Sequence, residues 1–332
     1  MSELTLIRPD DFHLHLRQGD LMRQLVEETA KSFARVLVMP NTIPPVTLAE
    51  DVVQYREDLE GVGTALEFLM TFKIMPETSS ESVRQLKEVG TMAGKLYPIG
   101  VTTNAEDGIR RIRDCYEVFE ALQELEMVLC LHGEVPGVED LLREAAFLPE
   151  LKQLHQDFPR LRIVLEHAST KAAVEMVQSL GEMVAATLTV HHLLLTTAEV
   201  RDGVFYPHHF CAPICKSEAD RAALLSAAVS GDPKFFLGSD SAPHLREQKE
   251  GDHPKPGVYS TPVVLPLLAQ IFEDHHQLDR LEAFVAQHGA NFYQLPQNSD
   301  TISLAKQPWQ VPEEYYEVVP LSAGETLKWQ VV

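Results

Sequence analysis

The sequence is short of several things, and each shortage removes a class of function. Only four of its 332 residues are cysteine: Cys115, Cys130, Cys211 and Cys215. None forms a Cys-x-x-Cys pair, and Cys211-x-x-x-Cys215 has no second pair to complete a zinc finger. The thiols therefore read as reduced, with no disulfide framework. Basic residues are scarce, with 28 Lys and Arg against 49 Asp and Glu, a formal charge of -21. Such a surface repels nucleic acid and anionic membranes, which argues against both as partners. No apolar run is long enough to span a bilayer, and Met1-Ser2-Glu3-Leu4 has neither the basic stretch nor the apolar core of a secretion signal. A cytoplasmic location is expected. No Gly-x-Gly-x-x-Gly follows an early strand, so a dinucleotide-binding sheet has no support. Internal repeats, low-complexity tracts and linkers are missing too.

Hydrophobic residues are not scarce. They make up 45% of the chain, ample for a large core. Short Val- and Leu-rich runs alternate with stretches of helical spacing. Strands are expected near residues 13, 37, 70, 96, 129, 164, 187 and 236, with helices between them. These helices include 48–59, one opened by the cap Ser79-Ser80-Glu81-Ser82, 107–126, 138–154 and 171–180. Apolar strands alternating with helices argue an α/β fold with a parallel sheet. Eight units argue a closed (β/α)8 barrel of the TIM type, one domain over residues 1–332, whose functional residues gather at the C-terminal strand ends. An open doubly wound sheet is the alternative. Leu4-Thr5-Leu6-Ile7 and Thr326-Leu327-Lys328-Trp329 both alternate and are expected to pair with each other outside the barrel. The stretch 299–309 suggests no assignment.

The chemistry starts at Asp11-Phe12-His13-Leu14-His15-Leu16-Arg17. Side chains at i and i+2 of a strand share a face, about 6–7 Å apart at Cα, so two imidazoles can lean onto one metal ion. Phe12, Leu14 and Leu16 are expected to point the other way. Later strands end in matching residues: Asn41, His132, His167 and Asp240, with Lys95 inside the fourth strand. Imidazole nitrogen with carboxylate oxygen suits zinc and its neighbours. A lysine inside a barrel strand is costly to bury as a cation. Adding carbon dioxide to the neutral amine makes a carbamate, an anion able to bridge two divalent ions. His191-His192 and His208-His209 also follow strand-like runs and read as structural or surface residues. Glu134 and Glu166 read as orienting neighbours of ligating histidines.

Taken in order, His13-x-His15-x-Arg17, Met39-Pro40-Asn41, Lys95-Leu96-Tyr97-Pro98, Thr102-Thr103-Asn104, His132-Gly133-Glu134, Glu166-His167 and Gly238-Ser239-Asp240-Ser241-Ala242-Pro243-His244 resemble the dihydroorotases of the amidohydrolase superfamily. The match runs through residues 8–244 and resumes weakly at Gly324-Glu325-Thr326. The resemblance implies two zinc ions, one on His13, His15 and Asp240 and the other on His132 and His167. Lys95 as N6-carboxylysine would bridge them together with a hydroxide, the nucleophile. It further implies that Asp240 is the general acid and base, and that Arg17, Asn41 and His244 hold a substrate carboxylate. Thr102 and Thr103 would sit on a loop that closes over the substrate, N-carbamoyl-L-aspartate or dihydroorotate, and the backbone of Ala212 would touch its ring. A homodimer is implied as well. One departure stands out. In the family a backbone N–H near Pro256 helps bind substrate, and proline has none, which leaves Gly257 or no donor.

Dihydropyrimidinases, hydantoinases and allantoinases share the metal set. They are longer, with a β-sandwich built partly from residues ahead of the histidine pair. Only 12 residues precede His13, and Arg17 with Asn41 favours a carboxylate-bearing ring, so the dihydroorotase branch is expected. A catalytically dead scaffold is the competing class. It would have no need to keep Lys95, the four histidines and Asp240 together.

Overall fold

A computed structural model describes residues 3–332. After an outer strand β1 (Glu3–Ile7) come eight strands: β2 (Asp10–Leu14), β3 (Arg35–Val38), β4 (Glu67–Lys73), β5 (Ala93–Leu96), β6 (Val128–Leu131), β7 (Arg162–Leu165), β8 (Val184–Leu188) and β9 (Phe235–Leu237). Each lies where apolar spacing placed it, and they pair in parallel in chain order. The last strand returns to the first just past its end. Asp240 N–H donates to the His13 carbonyl at 2.9 Å, and His15 N–H donates to the Ser241 carbonyl at 3.1 Å. These bonds close the barrel and put Asp240 beside both histidines.

Burial divides the apolar side chains into two layers. The larger lies between strands and helices; the smaller fills the barrel interior with residues such as Leu37, Leu69, Val128, Val164 and Phe236. Phe12 belongs to the inner layer, contrary to the alternation expected for β2, whereas Leu14 and Leu16 face the helices. The cause is a register shift between Asp11 and Leu14. Such an irregularity lets consecutive side chains turn to one face. Phe12 and His13 are both buried, and the Phe12 ring stacks 4.7 Å from that of Tyr293 to form a floor. At the base of the barrel, Arg35 grips Asp10 with two bonds of 2.8 and 2.9 Å, both side chains buried.

Helix bounds shift in two places. The helix expected from 107 begins as a 3-10 turn at Ile112–Cys115 and continues as Tyr116–Glu124. Residues 98–111 instead form a loop, tied down by Lys73 Nζ, which donates to the Asn104 carbonyl at 2.9 Å and to the Asp107 carboxylate. The helix expected from 138 starts at Arg143 and runs to Asp157.

The terminal strands need a larger correction. Residues 4–7 do not pair with 326–329. β10 (Thr301–Ala305) lies between, pairing antiparallel with β1 over five residues. Its other edge takes β13 (Gln330–Val331), while β11 (Trp309–Gln310) pairs with β12 (Thr326–Leu327). Thr-Ile-Ser-Leu-Ala buries Ile302 and Leu304 on alternate positions, the period of a half-covered strand. No helix among the described residues is long and apolar enough to cross a membrane.

Candidate active site

The C-terminal mouth of the barrel gathers all six of the expected ligands. His13 and His15 lie at the end of β2, Lys95 on β5, His132 after β6, His167 after β7 and Asp240 after β9. All are buried. The ligand atoms of His13, His15 and Asp240 lie within 4.8 Å of one another. The His167 ring sits 5.1 Å from that of His13 and 4.7 Å from that of His132. Two of these residues carry backbone strain: His167 at φ 43° and Asp240 at φ 45° occupy the left-handed region. Non-glycine residues held there are concentrated at functional sites.

Hydrogen bonds set which ring nitrogen faces inward. His13 Nδ1 donates to Glu166 Oε2 at 2.8 Å, and the Thr187 hydroxyl donates to the same oxygen at 2.7 Å. The His13 Nε2 lone pair then faces Asp240 Oδ1 at 3.4 Å, and His15 Nε2 approaches that oxygen at 3.1 Å. His132 uses Nε2 on Glu134 at 2.8 Å, which leaves Nδ1 for the mouth. His167 Nδ1 and Lys95 Nζ are buried with no partner at all. Below these ligands, Asp11 accepts from His13 N–H and from Ser239 N–H at 3.1 and 2.8 Å, locking the two ligand strands together. Gly238 permits the crossing, since a Cβ there would lie 2.7 Å from Thr187.

Burial drives the electrostatics. It lowers His15 to about 4, pushes His167 well below its ordinary value and lowers His132, so these rings are neutral near pH 7. It depresses the Lys95 amine as well. Burial opposes ionisation of Asp240, but the imidazoles of His13 and His15 outweigh it and hold the carboxyl well below its usual range.

The pocket above is walled by Arg17, Asn41, Tyr97, Thr102, Thr103, Ala212, Ala242, Pro256 and Gly257, among others. Arg17 Nε donates to the Pro243 carbonyl at 2.8 Å, and Nη2 lies 3.1 Å from His244 Nε2. His244 thus stands beside Arg17, and the two share the wall of an adjoining pocket with Asn41 and Thr103. Burial and the Arg17 charge keep its imidazole neutral. Asn41 and the loop are laced together: Asn41 Nδ2 donates to the Thr103 carbonyl at 3.2 Å, and Asn104 Nδ2 donates to the Asn41 carbonyl at 2.8 Å. The loop closes the pocket to about 20 Å³ of free space, room for on the order of one water. Gly257 N–H, the donor that could replace the one missing at Pro256, is spent on the Phe210 carbonyl at 2.8 Å.

Tyr97, Asp11 and Thr187 were not singled out from the sequence. Asp11 sits two residues before His13, a position that could have flagged it. Thr187 has no such signal. His208 and His209 are half-buried, His208 on Glu250 and His209 on the Glu199 carbonyl. His191 and His192 do not end a strand. They sit on a short helix, Val190–Leu194, and are fully buried.

No family model matches the chain. A parallel barrel with histidines, a lysine and an aspartate at its mouth has the architecture of the amidohydrolase superfamily. Full-length relatives narrow this. A dihydroorotase of Picosynechococcus sp. is 46% identical over 341 residues, covering 99% of each chain. One from Shewanella loihica is 43% identical over 340 residues, covering 100% of this chain and 99% of its own. The crystal structure of Saccharomyces cerevisiae dihydroorotase in complex with 5-fluoroorotic acid superposes with a TM-score of 0.95 at 34% identity, covering 100% and 99% of the two chains. The chain belongs to the dihydroorotase family, and is a hydrolase acting on a cyclic amide.

Proposed function

We propose that this enzyme interconverts N-carbamoyl-L-aspartate and dihydroorotate in pyrimidine biosynthesis, with two zinc ions at the barrel mouth. The observation that carries the reading is the Lys95 amine, wholly buried and without a hydrogen-bond partner among four imidazoles and a carboxylate. An unpaired ammonium is costly there. The neutral amine, favoured by burial, can attack carbon dioxide, losing a proton as the N–C bond forms and leaving a carbamate anion. That anion supplies the oxygen donors the site otherwise lacks between its two histidine pairs. The set fits zinc: His13, His15 and Asp240 would hold one ion, His132 and His167 the other, and carboxylated Lys95 both. Bound zinc lowers the pKa of water and polarises an amide carbonyl.

The remaining roles belong to the chain's own groups. Asp240, kept ionised by its imidazole neighbours, is placed to take a proton from the attacking water and pass it to the leaving ring nitrogen. Glu166 and Glu134 fix the tautomers of His13 and His132. Arg17 brings the positive charge a carboxylate substrate needs on a protein of net charge -21, with Asn41 beside it and His244 bracing the guanidinium. The loop bearing Thr102 and Thr103 walls the pocket and is placed to close over the substrate, excluding water during turnover.

The test is direct. Zinc-loaded protein should open dihydroorotate to N-carbamoyl-L-aspartate. Asp240→Asn, which leaves an oxygen able to reach zinc but takes away the base, should lower kcat by at least roughly 10²–10⁴-fold with some metal retained. A wild-type protein that binds zinc yet leaves dihydroorotate intact overturns the assignment.

A further inference from the structure

Behind the pocket wall formed by Ala212 lies a second convergence of metal-binding side chains that the reaction does not use. His191 and His192 project from the helix Val190–Leu194 with their rings 4.6 Å apart. Cys211 and Cys215 approach from the following loop, their Sγ atoms 3.8 Å apart. All four are at most 2% exposed. The candidate ligand atoms of His191, His192 and Cys211 fall within 4.8 Å of one another. We propose that His191, His192, Cys211 and Cys215 form a separate binding site for a zinc-class divalent cation.

Three observations support it. Both ring nitrogens of His191 are buried without a partner. A neutral imidazole has one donor and one acceptor to satisfy, so a fully buried ring that satisfies neither is unusual. A ligand on one nitrogen would remove half of that deficit. The second observation is the sulfur spacing. Two thiolates bound tetrahedrally at about 2.3 Å from one zinc sit roughly 3.75 Å apart, and the two sulfurs are already 3.8 Å apart. The third is the setting of His192. Its Nδ1 lies 2.8 Å from the Thr189 hydroxyl, while Nε2 faces the Pro213 carbonyl at 2.9 Å and Cys211 Sγ at 3.9 Å. With Nε2 on a cation, Nδ1–H would donate to Thr189, the outer contact that ligating histidines commonly keep.

Binding has a stated cost. The Pro213 carbonyl loses its contacts with His192 and with the Cys211 thiol, the latter at 3.1 Å. The ligand atoms must also draw together to the roughly 3.4–3.7 Å spacing of a tetrahedral site. Each thiol gives up its proton as its sulfur–metal bond forms. Because Cys211 and Pro213 flank Ala212, the cation would stiffen one wall of the substrate pocket.

Cobalt separates this site from the catalytic one, whose ligand set contains no thiolate. Metal-stripped, reduced protein is titrated with Co²⁺ alone. The site predicts an intense near-ultraviolet thiolate-to-cobalt band, and one equivalent of bound metal beyond that held by the double variant Cys211→Ser, Cys215→Ser, which lacks the band. His191→Leu keeps both thiols and should lose most of the band too, which guards against a double variant that fails to fold. Absence of the band in the wild-type protein, its persistence in the double variant, or its retention in His191→Leu each overturns the proposal. So does a mass two hydrogens lower in protein purified without reductant, since a Cys211–Cys215 disulfide would then explain the pair.

Discussion

Replacing Glu166 with glutamine isolates the charge behind His13 from its shape. Glu166 Oε2 accepts from His13 Nδ1 at 2.8 Å and from the Thr187 hydroxyl at 2.7 Å, in a fully buried setting. A glutamine oxygen can take both bonds, so the His13 ring should keep its tautomer and tilt. The negative charge is lost, and with it the charge assistance that makes such bonds roughly twice as strong as neutral ones. Losing an outer partner of a metal-binding histidine typically weakens metal affinity about 10–100-fold. Each tenfold step corresponds to about 1.4 kcal/mol. Glu166→Gln retains the geometry and should fall near the tenfold end. Glu166→Ala also frees the ring, and should fall near the hundredfold end. Chelator competition for zinc, with circular dichroism to check folding, measures both. Zinc affinity within twofold of wild type in both variants would refute the role given to Glu166.

Two further outcomes follow from the same geometry. Arg17→Met should raise KM for N-carbamoyl-L-aspartate and for dihydroorotate together while leaving zinc content nearly unchanged, because a grip kept equally in ground and transition states acts on binding; wild-type KM for both would contradict it. Arg35→Ala leaves Asp10 buried with only the Asn298 amide for company, so urea unfolding should show a loss of about 3–5 kcal/mol, the cost of orphaning one member of a buried pair.

The barrel was legible because seven of its eight strands are largely apolar runs and six of the eight carry a candidate functional residue at or near the end, and because eight strands alternating with helices leave few other folds. His13, His15, His132, His167, Lys95 and Asp240 could be picked out for the same reason. Other features left no such trace. The turn of Phe12 into the barrel arises from a register shift between strands, a pairing property that one strand's sequence does not carry. β10 was overlooked because Thr301 to Ala305 is short and follows a polar stretch, and its partner β1 lies almost the full chain length away. His244 and Gly257 line up with the site in sequence, but the contact of His244 with Arg17 and the bond from Gly257 N–H to the Phe210 carbonyl join distant segments and leave no trace in the local pattern. His191 and His192 read as structural or surface residues; their burial beside Cys211 depends on a loop that packs over them, which the local pattern does not carry.

Lys95 is where the proposed chemistry is most exposed to test. Zinc content and dihydroorotate ring opening should be measured together in Lys95→Ala, with and without short carboxylic acids and bicarbonate. A carboxylated lysine that holds both metals predicts loss of most bound zinc and activity, with partial recovery when a small carboxylate fills the space. A Lys95→Ala protein with full zinc content and wild-type turnover would contradict it.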